Sequence, residues 1–84
     1  MAGGEGMTTT QRLAPMLRWA AECAERGDYY SGRALSAVYT DVASKSLGSP
    51  QYCVDESRDN FDAQWFGYAW AYAIAYVLIK GVEQ

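Results

Sequence analysis

From Phe61 to Lys80 the chain reads FDAQWFGYAWAYAIAYVLIK, and no charge interrupts it between Asp62 and Lys80. Wound at about 100° per residue, this stretch predicts a helix with two apolar stripes. Phe61, Trp65, Tyr68, Tyr72, Tyr76 and Ile79 fall on one side, and Phe66, Trp70, Ala73, Ile74, Val77 and Leu78 on the other. A helix that is apolar all round is either central to a core or in lipid, so what covers each stripe becomes the main question.

The earlier pattern is more ordinary. Thr8 with Gln11 three residues on has the spacing of a capping box and announces a helix. Pro15 is tolerated only in a first turn. Either the helix begins near Gln11 or Arg12, or a short turn precedes a helix beginning at Ala14 or Pro15. Leu13, Met16, Leu17, Ala20, Cys23 and Ala24 line its apolar side, and Arg18, Glu22, Glu25 and Arg26 its polar one. Gly27 followed by Asp28 supplies a helix stop and a helix start in adjacent positions, the mark of an antiparallel helical hairpin. In the second helix Ala34, Leu35, Val38, Tyr39, Val42 and Ser46 form the inward stripe, while Arg33, Ser36, Ala37, Thr40, Asp41 and Ser44 face outward. Gly32 in its first turn weakens the helix or marks a close helix approach.

Gly48-Ser49-Pro50 reads as a firm end to the second helix, with a loop running from there to about Arg58. Asp59 or Asn60 then caps the third helix, Asp62 occupies its first turn, and Gly81 closes it. The prediction is an all-α, three-helix bundle with helices at about 11–26, 29–46 and 60–80. It forms one helical domain over 8–84, after a glycine-rich leader over 1–7 that is expected to be disordered; Met7 is a plausible natural start. The C-terminal helix is central. Phe66, Trp70, Ile74, Val77 and Leu78 are expected to face the first two helices, whose thin stripes cannot cover both sides. That leaves the tyrosine-rich side to meet another surface, most simply that of a second copy, in a homodimer.

Composition narrows the chemistry. Eighty-four residues, half of them apolar, lie near the lower limit for a self-sufficient core. The net charge of −3 argues against direct binding to nucleic acid. The chain has no histidine, which removes the commonest general base and metal ligand. Cys23 and Cys53 lack paired spacing, so no zinc or redox motif exists and both thiols are expected to be reduced. No nucleophile elbow, phosphate loop or Ser-x-x-Lys spacing is present. The first twelve residues lack a basic start followed by an apolar run, which reads as cytoplasmic. Ala63 to Ile79 is uncharged over 17 residues, but Trp70 and three tyrosines lie along its middle instead of at its ends, which argues against a membrane span. Gly67, Ala71 and Ala75 form a small-residue ridge that serves close helix packing in water as well as in lipid.

The expected function is that of a small acidic, non-enzymatic protein–protein interaction module without cofactor or metal. Inhibitors encoded by phages or mobile elements, which block a surface of a bacterial complex such as a defence nuclease, fit this general description. The expected contact residues are Trp65, Tyr68, Tyr72 and Tyr76 as aromatic anchors. Asp55, Glu56, Asp59 and Asp62, which with Arg58 carry −3 locally, are expected to steer the chain to a basic protein surface. A calcium loop over 55–60 fails for want of the glycine and the terminal glutamate. The alternatives are a homo-oligomeric binder of a small molecule or nucleotide, held between stacked aromatics with Arg33 or Lys45 as counter-charge, and a structural or scaffold subunit.

Overall fold

The computed structural model describes residues 7–45 and 49–81, and every regular element among them is helical: α1 (Thr9–Leu13), α2 (Pro15–Glu25), α3 (Tyr29–Ser44), α4 (Pro50–Asp62) and α5 (Phe66–Lys80). The expectations for the leader over 1–6, for Ser46 and for the stop at Gly48 lie outside the described residues. The predicted bundle of three helices is corrected to two hairpins, α2–α3 and α4–α5. They join where α3 crosses α5, with the single turn of α1 against both.

The first hairpin follows local backbone chemistry. Thr8 and Gln11 form the capping box reciprocally: the Gln11 N–H donates to Thr8 Oγ1 at 3.1 Å and the Thr8 N–H to Gln11 Oε1 at 2.8 Å. Of the two starts that Pro15 allowed, the structure takes the second, with a one-turn helix ahead of it and Pro15 opening α2. Gly27 adopts φ 85°, and the N–H groups of Asp28 and Gly27 return to the carbonyls of Cys23 and Ala24 at 2.8 and 3.1 Å. This double bond closes α2 as a Schellman motif. Asp28 then caps α3 by accepting from the Ser31 N–H at 3.1 Å. Gly32 marks a close approach: a Cβ there would lie 3.1 Å from the Ala20 carbonyl oxygen and 3.3 Å from the Cys23 Cβ.

The second hairpin departs from the sequence reading. Residues 50–58 are helix, not loop, because Ser49 and Pro50 begin an element. Ser49 is extended, as a residue before proline must be, and that is also the geometry of an N-cap. Its Oγ accepts from the Tyr52 N–H at 3.4 Å, and Pro50 occupies a first-turn position where its missing N–H costs nothing. Neither Asp59 nor Asn60 is a cap, and Asp62 is the last residue of α4 instead of first-turn material. A Schellman turn at Ala63–Gln64–Trp65 splits the predicted continuous helix: the Trp65 N–H reaches the Asn60 carbonyl at 2.8 Å and the Gln64 N–H that of Phe61 at 2.9 Å.

Gln64 carries the left-handed residue of that turn, at φ 67°, where glycine is ordinarily used. Gln64→Gly is therefore expected to stabilise the fold by about 0.5–1 kcal/mol and to raise the Tm by several degrees. A lower Tm in thermal unfolding would show that the turn is held by the glutamine side chain and not by backbone conformation.

The core is built from modest side chains. Leu13, Met16, Leu35, Val38, Val42 and Cys53 are the largest that are fully buried, joined by Ala34, Ala71 and Ala75. Gly67, Ala71 and Ala75 are all buried, so the small-residue ridge faces inward and lets α5 approach its neighbours. The N–H of Gly67 donates to the hydroxyl of Tyr30 at 3.1 Å, so a side chain from α3 satisfies the start of α5.

Candidate functional site

The predicted faces of the C-terminal helix are exchanged at Phe66, Trp70, Val77 and Tyr72, whereas Ile74 and Leu78 pack against the core as expected. Phe66, Trp70 and Val77, expected against the first two helices, are 54%, 43% and 60% exposed, with Ile74 and Leu78 half-buried. Tyr72, expected at the surface, is only 7% exposed, and Tyr68 and Tyr76 pack half-buried against the core. The cause is a carboxylate that the sequence pattern had placed on the outer side of its helix. Asp41 Oδ2 accepts from the hydroxyls of Tyr52 at 2.5 Å and Tyr72 at 2.6 Å, so one acceptor on α3 ties both helices of the second hairpin. Lys45 Nζ stands 3.8 Å from the other oxygen. The Tyr72 hydroxyl, which burial obliges to find a partner, is satisfied within the chain.

Burial raises the Asp41 carboxyl, but the two tyrosine bonds and the Lys45 charge outweigh it and hold the group below its ordinary value. Tyr52 shifts the opposite way, pushed up to about 12 by burial and by the Asp41 carboxylate. Tyr72 is raised for the same reasons.

Turning Tyr72 inward turns Phe66, Trp70, Ala73 and Val77 outward. Phe66 and Trp70, with Val54 and Phe61 of α4, border an open groove of about 600 Å³ between α4 and α5, floored by Cys53, Ala69 and Ala73. Phe61 and Phe66 meet edge to face across the interhelical turn, with ring centres 5.4 Å apart, and both stay more than half exposed. Trp70 forms a ridge. On its far side a second apolar groove of about 270 Å³ runs between Trp19 of α2 and Ile74, Val77 and Leu78 of α5.

Two polar side chains of the larger groove are already engaged. Ser57 Oγ donates to the Ala69 carbonyl at 2.8 Å, and Arg58 Nη2 pairs with Asp55 Oδ1 at 3.0 Å. Burial pushes the Cys53 thiol up to about 11, so it stays protonated and unreactive at neutral pH. Among the described residues no group of three His, Cys, Asp or Glu side chains could hold a metal ion, and no helix is long and apolar enough to cross a membrane. Such a surface offers adhesion and shape.

Of the contact residues singled out from the sequence, Tyr76 alone lines this groove. Trp65 is exposed at the N-cap of α5, with its ring centre 5.8 Å from that of Tyr68. Asp55 and Glu56 are half-buried, while Asp59 and Asp62 are exposed, all on α4. Spacings of four and three residues put Asp55, Asp59 and Asp62 along one side of that helix, beside Arg58 on the groove rim. Asp59 and Asp62 lie in its last turn, where the helix dipole disfavours carboxylates. Sequence reasoning passed over Val54, Phe61, Phe66, Trp70 and Val77 as contact residues. For Phe66, Trp70 and Val77 the available signal was membership of the second apolar stripe, which had been assigned to the core, whereas Phe61 stood on the tyrosine side and Val54 in the expected loop. No family model matches the chain, and no curated protein or solved structure matches it either.

Proposed function

We propose that this chain is a non-enzymatic protein–protein interaction module, acting in the cytoplasm, whose working surface is the apolar face shared by α4 and α5. One observation carries the reading: Phe61, Phe66 and Trp70, among the bulkiest side chains of the second hairpin, are 43–60% exposed on one face beside a groove with a small-residue floor. Scattered exposed hydrophobics are ordinary on small proteins, whereas a contiguous patch of aromatic anchors marks a contact surface. The acidic side of α4 borders this face. Its last-turn carboxylates are kept against the helix dipole and suit a basic protein partner. An inhibitor that occupies a surface of a bacterial complex, as phages encode, is the kind of action such a module can perform. The larger groove has a volume suited to a small ligand, but its Ser57 hydroxyl and Arg58 guanidinium already bond within the chain, which leaves it few convergent anchors for a ligand.

Photo-crosslinking tests the reading. A photoactivatable benzoylphenylalanine in place of Val77, 60% exposed and one helical turn beyond Ala73 on the same side of α5, is expected to capture a polypeptide in bacterial cells. The same probe at Tyr29, exposed at the start of α3, is expected to capture none. Equal yields at the two positions, or no adduct at Val77, would overturn the reading.

A further inference from the structure

We infer that in the isolated protein the occupant of the α4–α5 face is a second copy of this chain, an inference that rests on reading this face as a docking surface. The first argument is the distribution of size between inside and outside. No tryptophan or phenylalanine of the described residues is buried, and alanines fill much of the core. An 84-residue chain is near the size at which a single core is just sufficient, and self-association is a common way for so small a chain to gain the missing burial.

The second argument is area. Phe61, Phe66 and Trp70 each keep about half of a ring's typical 150–250 Å² exposed, so the three leave roughly 300 Å² uncovered on one chain. Two copies double that to roughly 600 Å², and Val54, Ala73 and Val77 with the groove walls extend it toward the ~1,200 Å² at which stable interfaces begin.

The third argument is shape and charge. A two-fold interface must be complementary to itself. This face carries both parts of such a match, projecting Phe66 and Trp70 beside a groove floored by Ala69 and Ala73. The one charged side chain lining the groove, Arg58, stands between Asp55 at 3.0 Å and Asp62 one turn further on. The rim therefore offers both signs, and like copies meet there without a uniform clash of charge.

Sedimentation equilibrium of the full chain, from low micromolar to several hundred micromolar, tests the pairing. The wild type is expected to reach twice the 9.3 kDa chain mass. Phe66→Asp and Val77→Asp, each checked for helical content, place a carboxylate in the apolar contact and are expected to weaken association at least about tenfold. Tyr29→Asp, exposed on α3 and outside the lining of either groove, is expected to pair like the wild type. A wild-type mass of one chain at every concentration overturns the inference whether or not the variants fold, and so does dimerisation that Phe66→Asp and Val77→Asp leave intact. The two readings fail separately. A monomeric wild type whose Val77 probe captures a foreign polypeptide sinks the pairing and leaves the docking surface; absence of any adduct sinks the docking surface.

Discussion

Replacing Asp41 with alanine is expected to lower the stability of the fold by about 2–3 kcal/mol, a fall of roughly 10–20 °C in Tm for a domain of this size. The substitution removes the only carboxylate that the Tyr52 and Tyr72 hydroxyls share, and so loosens the tie between α3 and the second hairpin. Hydrogen bonds to a charged acceptor are the stronger kind, and the Tyr72 hydroxyl would be left without its partner in a side chain 7% exposed. Because the Asp41 side chain keeps 30% of its surface, the expected loss lies below the sum of two fully buried charged bonds.

The pH dependence follows with its sign. The folded-state carboxyl of Asp41 lies below its ordinary value of 3.8, so the unfolded chain binds the proton more readily. The contribution is present above about pH 4 and is lost as pH falls through the folded value. Asp28 acts in the same direction, its carboxyl lowered chiefly by the Ser31 backbone N–H. At the other end Tyr52 is raised from 10 to about 12, so its contribution is complete below pH 10 and is lost as pH rises through 12. In Asp41→Ala both limbs of the stability–pH profile are expected to flatten, as read from urea unfolding across the pH range. A variant with wild-type stability and an unchanged acid limb would show that the tyrosines are held by packing alone.

What the sequence made legible were the features set by a few adjacent residues. The Thr8–Gln11 box and the Gly27–Asp28 junction are backbone chemistry that no distant contact overrides, and both appear in the structure. The Ala34, Leu35, Val38 and Val42 stripe of α3 was legible because its apolar side is single. Helix α4 was hidden for two reasons. Ser-Pro can end one helix or begin the next, and only Cys53 of α4 is fully buried, so the segment lacks an aliphatic stripe. The break before α5 was hidden because Gln64 holds a turn that glycine would have announced.

The exchanged faces of α5 have a different origin. A helix apolar on both sides carries no instruction about which side turns inward. Here the choice follows from the fit of Gly67, Ala71 and Ala75 against neighbouring helices and from an acceptor 31 residues before Tyr72. Spacing along one helix cannot reveal a partner on another. The expectation that one side would be left over for another surface survives as the proposal above, with the opposite side of the helix in that role.

Two substitutions of identical chemistry, two positions apart on α5, probe that choice. Ala71 has no exposed surface, and Leu in its place must force three additional carbons into the packed interior. Such overpacking costs about 1–3 kcal/mol, and with a helix–helix contact on the other side little relaxation is available, so the upper end of that range is expected. Ala73 is exposed on the floor of the groove, where the same enlargement meets no packed neighbour. Its expected effect at low-micromolar concentration is within about 0.5 kcal/mol.

Urea unfolding of Ala71→Leu and Ala73→Leu side by side is therefore the most direct test of which face of α5 the fold buries. A large loss for Ala71→Leu with Ala73→Leu close to wild type is the predicted result, and the reverse order would contradict it.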